Sequence, residues 1–213
     1  MQQETQFDLI VVGGGTAGAF SAIAAAREGL KVAVVERGTC LGGLAASSGL
    51  TEMNAAGFQG APLYRGIERE VFDRLIWGGH AAYHFAVPMS SNKEVKIDRL
   101  RYDPERLKLL LEQLAVEAGI TLLYETELTA AREGEEECQI TARGPYQEIA
   151  LSGKYLIDAT GNASLVQALG GETEAVDERE RMIATLMFRI SNVDLDQLDA
   201  FIHSPRLGET IRQ

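Results

Sequence analysis

The chain has 213 residues, with 31 acidic against 20 basic side chains and a formal charge of −11. That balance argues against a nucleic-acid partner, which needs a basic face, yet it leaves room for an anionic cofactor held by main-chain N–H groups. With 46% apolar residues a chain of this length buries roughly 70% of its unfolded surface without disulfides or metals, and it contains no apolar run near the ~20 residues of a membrane span.

Residues 7–12 (FDLIVV) form a short apolar, β-branched run that ends in three glycines, so they read as a buried parallel strand. Residues 16–28 are dense in alanine and closed by Gly29, which predicts a helix with a small-residue face and a glycine stop. Residues 31–36 (KVAVVE) are a second buried strand, completing a βαβ unit. Residues 38–62 are rich in Gly, Ala and Ser and show no period, as expected of a binding loop. A helix follows over 63–77, with Ile67, Val71, Phe72 and Leu75 on one side, and 78–98 reads as an irregular hairpin or excursion.

Residues 103–119 carry the clearest helix pattern. Asp103 can cap it and Pro104 occupies the first helical position, where a missing N–H is harmless. Leu107, Leu110, Leu111, Leu114, Ala115 and Ala118 follow the i, i+3, i+4, i+7 stripe up to Gly119. A strand is predicted over 120–124. Residues 128–151 alternate β-like runs with turns at 133–136 and 144–145, which fits a three-stranded antiparallel meander. Residues 154–160 (KYLIDAT) form another buried strand ending at Gly161, 182–190 a further strand, and 194–202 a helix.

Between the first strand and helix stands Gly13-Gly14-Gly15-Thr16-Ala17-Gly18. In this pattern Gly13 permits a tight turn, Gly15 brings the backbone against a pyrophosphate, and Gly18 lets helix and strand pack closely. The N–H groups of Thr16 and Ala17 then point at phosphates from the helix N-terminus. Glu36, at the end of the second strand, can accept hydrogen bonds from an adenosine ribose and repel a 2′-phosphate. FAD and NAD share this fingerprint. The strand ending in Ala159-Thr160-Gly161, a second close backbone approach, and the meander before it have no role in a plain NAD dehydrogenase and favour FAD.

Taken together, Gly13 to Gly18, Glu36, Gly42-Gly43, the Asp103-Pro104-Glu105 helix and the segment DATGN at 158–162 resemble the FAD-dependent oxidoreductases of the glutathione reductase and fumarate reductase superfamily. The segments GIEREVFDRL, YDPERLKLLLEQLAVEAGI, DATGNASLVQALGG and ATLMFRI are similar to one branch of it, and the resemblance runs from about Phe7 to Leu198. It implies an α/β fold, a Rossmann-like parallel sheet with an inserted antiparallel β-meander. It implies FAD as cofactor, with Gly13, Gly15, Thr16, Ala17 and Gly18 on the pyrophosphate, Glu36 on the ribose and Arg37 beside the adenosine. Gly42, Gly43 and Leu44 would line the pyrophosphate and ribityl path, the Leu128 backbone would meet the adenine, and Ala159, Thr160 and Gly161 would cover the adenosine side. Asn162 stands where the family often carries Asp.

The expected organisation is an FAD-binding domain over 1–180, with an excursion at 38–100, and the opening of a substrate domain over 181–213. The expected activity is hydride transfer between an organic small-molecule substrate and the flavin. The alternative is a non-catalytic or incomplete FAD-binding module, either a truncated chain or one half of a split enzyme completed by a separate chain; the expected partners are a small-molecule substrate and a complementing chain or a homo-oligomer. Family members continue with a segment whose Gly-Asp motif closes the flavin site, and nothing after Gly161 here repeats it.

Other residues invite functional readings. Cys40 lies where disulfide reductases of the superfamily keep a redox pair, but it has no neighbouring thiol. Cys40 and Cys138 have neither a zinc spacing nor a disulfide framework, and residues 1–7 lack the features of a signal peptide, so a cytoplasmic protein with reduced thiols and no metal is expected. His80 and His84 could act as acid or base, and Trp77, Tyr83 and Phe85 could stack on a ligand; loop contacts and packing are the commoner uses. Arg65, Arg69 and Arg74 share a helix with Glu68, Glu70 and Asp73, the pattern of a solvated, ion-paired face.

Overall fold

A computed structural model describes residues 5–58, 60–89, 94–174, 176–177, 179–182, 184–188 and 190–204. The chain divides into two compact units, Met1–Ile183 and Ala184–Gln213.

The first unit is built on a six-stranded sheet. Its strands are β1 (Gln6–Val12), β2 (Val32–Val35), and, from later in the chain, Thr121–Leu123, Glu127–Arg132, Cys138–Arg143 and Glu148–Asp158. Residues between β2 and these form a second sheet from β3 (Glu52–Phe58), β4 (Ala61–Pro62), β5 (Ala81–Pro88) and β6 (Lys96–Tyr102), so the remaining strands are β7 to β10. The large sheet has the order β7-β2-β1-β10-β9-β8. Its first four strands are parallel and β9 and β8 are antiparallel. The small sheet, β4-β3-β6-β5, is antiparallel throughout.

The two parallel partners of β1 end level with it. Val12 is in register with Val35 of β2 and with Asp158 of β10. Three chain segments, beginning at Gly13, Glu36 and Ala159, therefore leave the sheet at one edge. This is the strand-order switch where open parallel sheets bind ligands.

Helix α1 (Thr16–Arg27) crosses from β1 to β2 and buries Gly18, Ala19, Ala22 and Ile23. Small residues there let the helix lie close to the sheet. Helix α2 (Gly43–Ser47) is short, and α3 (Gly66–Trp77) buries Val71, Phe72 and Leu75. Helix α4 (Pro104–Glu117) buries Leu107, Leu111, Leu114 and Ala115, the stripe predicted from spacing. On one side of the large sheet these helices and the inner face of the small sheet share a core that includes Leu9, Val11, Phe72, Leu100 and Leu111. On the other side Ile10, Val12, Ile140, Leu151 and Leu165 form a second core.

Asp103 caps α4 as its sequence suggests, with Oδ1 accepting from the Glu105 N–H at 2.9 Å and the Arg106 N–H at 3.5 Å. Asp103→Ala is expected to lower stability by about 1 kcal/mol, read from the urea midpoint, because it frees these donors.

Several elements differ from the sequence expectation. The third meander strand and the strand predicted at 154–160 are one continuous strand, β10. It pairs antiparallel with β9 through Glu148 to Gly153, and parallel with β1 from Ser152 to Asp158. Gly153 looks like a break in the sequence, but it is a site of close packing, where an added Cβ would sit 3.1 Å from Ile10. Residues 38–62 are not a single loop, since they contain α2, β3 and β4; the small residues of β3 are held by pairing with β6 rather than by propensity. The stretch at 78–98 is, by contrast, the irregular hairpin expected: it supplies β5 and the start of β6, paired antiparallel with a bulge. A short helix not foreseen, α5 (Ser164–Ala168), follows β10.

Asp98 of β6, 2% exposed, pins this insertion by accepting from the Gly60 and Ala86 N–H groups at 2.7 and 2.9 Å. The strand predicted over 182–190 does not form among the described residues, where Met182, Leu186 and Phe188 are largely exposed. β-like composition makes a strand only when a neighbour supplies the ladder. In the second unit, α6 (Leu195–Ile202) forms as predicted and is capped by Asp194, whose Oδ1 accepts from Asp196 and Gln197 at 3.1 Å each.

Candidate dinucleotide site

At the level ends of β1, β2 and β10 lies an open groove of about 760 Å³. Of the residues singled out in the sequence, Gly13, Gly15, Thr16, Ala17, Glu36, Arg37, Gly43, Leu44, Leu128, Ala159, Thr160 and Gly161 line it. Gly18 and Gly42 are buried behind that lining. The sequence reading missed Gly38, Ser47, Ser48, Thr126, Glu127 and Ser164 on the walls, while Asn162, noted there only as a departure from the family pattern, also lines the groove. Most are chain neighbours of residues it did name, and no motif marks them individually.

Each glycine of the first loop meets a different constraint. Gly13 has φ +99° and donates to the Val35 carbonyl at 2.8 Å; an added Cβ there would lie 2.4 Å from the Ala159 carbonyl oxygen. At Gly18 a Cβ would fall 1.8 Å from the Gly13 carbonyl oxygen. Gly15 is the reverse case, since the nearest atom to its added Cβ, the Ala159 oxygen, is 4.0 Å away. Gly13 and Gly18 are glycine because protein fills the space beside them. Gly15 faces the open groove.

Gly15 is also the N-cap of α1, which has no side-chain cap and no acidic residue in its first turn. Its first N–H groups therefore keep their hydrogen-bonding capacity, and the positive end of the helix dipole faces the groove. The segment 36–43 runs beside the glycine loop, tied by the Gly42 N–H to the Gly14 carbonyl at 2.9 Å and by the Thr16 hydroxyl to the Gly42 carbonyl at 3.2 Å.

Glu36 has a second use that the sequence did not suggest. Its Oε2 accepts from the Gly14 N–H at 2.6 Å and its Oε1 from the Gly38 N–H at 2.5 Å, so the carboxylate locks both loops. A carboxylate offers about four acceptor positions, so two remain for a ligand's hydroxyls. Nearby, the Tyr124 hydroxyl is buried with no hydrogen-bond partner among the described residues. Burial first, then electrostatic interaction with the neighbouring acidic groups, Glu112 foremost, pushes its phenol up to about 12.

The second loop is fixed by Asp158. Its Oδ1 accepts from the Thr160 N–H at 2.9 Å and the Thr160 hydroxyl at 2.7 Å, and its Oδ2 accepts from the Val166 N–H at 3.0 Å. Burial alone would raise its pKa, but these donors and the Leu165 N–H outweigh burial and hold it below the ordinary carboxylate value. This contribution is therefore complete at neutral pH and is lost as the pH falls through the depressed native value.

The remaining candidates fare differently. Cys40 lines the groove, 3.3 Å from the Ser47 hydroxyl, and both cysteines are free. Arg69 and Arg74 pair with Asp73 and Glu70 along α3, and Arg65 is that helix's N-cap residue. His84 lies opposite Arg99 in the β5–β6 hairpin, and the His80 N–H donates to the Leu75 carbonyl just beyond α3. Tyr83 and Phe85 stack on each other at 5.6 Å, and Trp77 is 80% exposed. None of these side chains lines the groove except Cys40. Among the described residues no group of three His, Cys, Asp or Glu could hold a metal, and no helix is long and apolar enough to cross a membrane.

A parallel sheet with a glycine loop, a carboxylate after the second strand and a second backbone loop at one edge defines a dinucleotide-binding α/β protein. The family model of FAD dependent oxidoreductases matches residues 8–211, and the chain belongs to that family, with FAD as its cofactor. No curated protein matches the chain.

Solved structures similar to it include p-nitrophenol 4-monooxygenase from Pseudomonas putida DLL-E4, at 16% identity and TM-score 0.58 over 80% of this chain and 45% of that one. Another is a flavoprotein/dehydrogenase from Cytophaga hutchinsonii, at 16% identity and TM-score 0.55 over 78% and 42%. A third is the flavin-dependent monooxygenase PieE in complex with FAD and substrate, at 18% identity and TM-score 0.55 over 78% and 32%. At these identities the likeness is one of fold. The chain spans between about a third and just under half of the length of these structures.

Proposed function

We propose that this chain binds FAD in the groove at the β1–β2–β10 edge and serves an oxidoreductase that passes hydride between an organic small molecule and the flavin. The observation that carries the reading is the pairing of a fixed second loop with an open Gly15. Ala159 packs against Gly13, while the space in front of Gly15 is clear. A diphosphate fits there because it needs main-chain donors at close range with no side chain between.

In this reading Gly13, Gly15, Thr16, Ala17 and Gly18 form the diphosphate cradle, with Gly18 acting from behind by bringing α1 close. The remaining acceptor positions of Glu36 take the adenosine ribose hydroxyls, with Arg37 beside the adenosine and the Leu128 backbone at the adenine. Gly43 and Leu44 follow the chain toward the ribityl, supported by Gly42 underneath. Ala159, Thr160 and Gly161 cover the adenosine side. FAD supplies the redox chemistry when bound, and the protein supplies orientation and electrostatics.

Titration of the purified chain with FAD, followed by quenching of flavin fluorescence, tests this directly. Saturable binding of FAD, competition by ADP and an absorbance near 450 nm that bleaches with dithionite are expected. Binding of NAD with indifference to FAD would reverse the cofactor assignment.

A further inference from the structure

The geometry assigns to Asp158, which does not line the groove, the role of positioning residue for the second backbone loop. Through it the Ala159-Thr160-Gly161 stretch is held ready for the dinucleotide before any ligand arrives. The inference rests on the FAD reading above and adds to it a residue that touches no ligand.

Asp158 is the last residue of β10, level with Val12 of β1, so its own backbone is fixed by the sheet. From that anchor the carboxylate reaches in two directions. Oδ1 takes both the main-chain and the side-chain donor of Thr160, and Oδ2 takes the Val166 N–H in the first turn of α5. The Thr160 hydroxyl, having donated to Asp158, accepts from the Ser164 N–H at 2.9 Å. The N-cap residue of α5 is Ala163, a non-glycine residue at φ +59° that provides no side-chain cap, so Asp158 and Thr160 do the capping from five and three residues upstream of it.

The consequence is carried to the groove by Ala159. Its N–H donates to the Val12 carbonyl at 2.8 Å and its carbonyl packs against Gly13. The two loops therefore define each other's position. An asparagine at 158 keeps the shape but turns one acceptor into a donor, which then faces N–H or O–H groups with nothing to offer them. The loop must shift to relieve that conflict, and Thr160 and Gly161 shift with it.

The test compares Asp158→Asn with Asp103→Ala, a cap deletion on α4 at a residue that does not line the groove. FAD and ADP affinities are read by fluorescence quenching and calorimetry, and stability by urea unfolding of the ligand-free chain. Asp158→Asn is expected to weaken FAD and ADP by the same factor, about tenfold, while Asp103→Ala binds both as the wild type does. Wild-type affinity in Asp158→Asn would overturn the assignment and leave Asp158 a helix cap like Asp103.

Should Asp158→Asn fail to fold, amide hydrogen exchange on the ligand-free wild type decides. Protected Thr160, Leu165 and Val166 amides are expected, and rapid exchange at all three refutes a preformed loop. A wild type that binds neither FAD nor ADP would instead sink the reading of the groove, with exchange still judging the loop.

Discussion

Gly18→Ala is expected to abolish FAD binding and to lower the stability of the chain by about 2 kcal/mol. Helix propensity alone predicts the opposite, since Ala is better than Gly in a helix by about 1 kcal/mol. Sterics reverse the sign. The new methyl would lie 1.8 Å from the Gly13 carbonyl oxygen and 3.1 Å from the Ala159 Cβ. The oxygen belongs to the backbone of a turn already pinned to Val35 and cannot rotate aside.

Relief requires α1 to move off the sheet, unpacking Ala19, Ala22 and Ile23. Overpacking of this kind costs about 3 kcal/mol, the upper end of the usual range, and exceeds the propensity gain. Because α1 carries the N–H groups that face the groove, its displacement also removes the anion site. Urea unfolding followed by circular dichroism, together with FAD titration, measures both effects. A variant as stable as the wild type would mean that α1 does not approach β1 as closely as described.

Gly15→Ala is expected to separate the two properties that Gly18→Ala changes together. Gly15 has φ −59° and ψ −177°, a conformation open to any residue, and its added Cβ meets nothing closer than 4.0 Å. Stability should fall by no more than about 1 kcal/mol, mostly from the poorer N-cap preference of alanine. The methyl nevertheless stands in front of the main-chain donors that a diphosphate would use. Losing two charge-assisted hydrogen bonds, each worth about 1.5 kcal/mol, amounts to roughly a hundredfold in affinity. Equal FAD affinity in Gly15→Ala would show that the phosphates lie elsewhere.

These two positions also mark what the sequence made legible. The glycine loop, Glu36 and the capped α4 announce themselves through short-range rules: a turn that needs glycine, a carboxylate at a strand end, a stripe at helical spacing behind Asp-Pro. Where tertiary pairing decides, the pattern is silent. Nothing in the small residues of β3 predicts a strand, because β6 supplies its ladder. Gly153 interrupts an apolar run in sequence but not in space, because Ile10 of the neighbouring strand occupies the position a side chain would take. The strand expected at 182–190 has the right composition and no partner among the described residues.

Within the site, every groove-lining glycine except Gly38 could be read in advance. The doubled use of Glu36 and the part played by Asp158 could not, since both depend on which N–H groups the fold brings within reach.

The continuity of β10 bears on the order of events in folding. Val12 and Asp158 stand side by side in the sheet although most of the chain lies between them along the polypeptide. The glycine turn thus emerges from the ribosome long before the strand that will brace it, and contacts at such separation are slow to close. Until that strand arrives, β1 has one flank bare of its eventual neighbour. A ribosome stalled with residues 1–120 exposed should therefore display a nascent chain that is readily cut by protease around Gly13, with resistance appearing once β10 has cleared the exit tunnel.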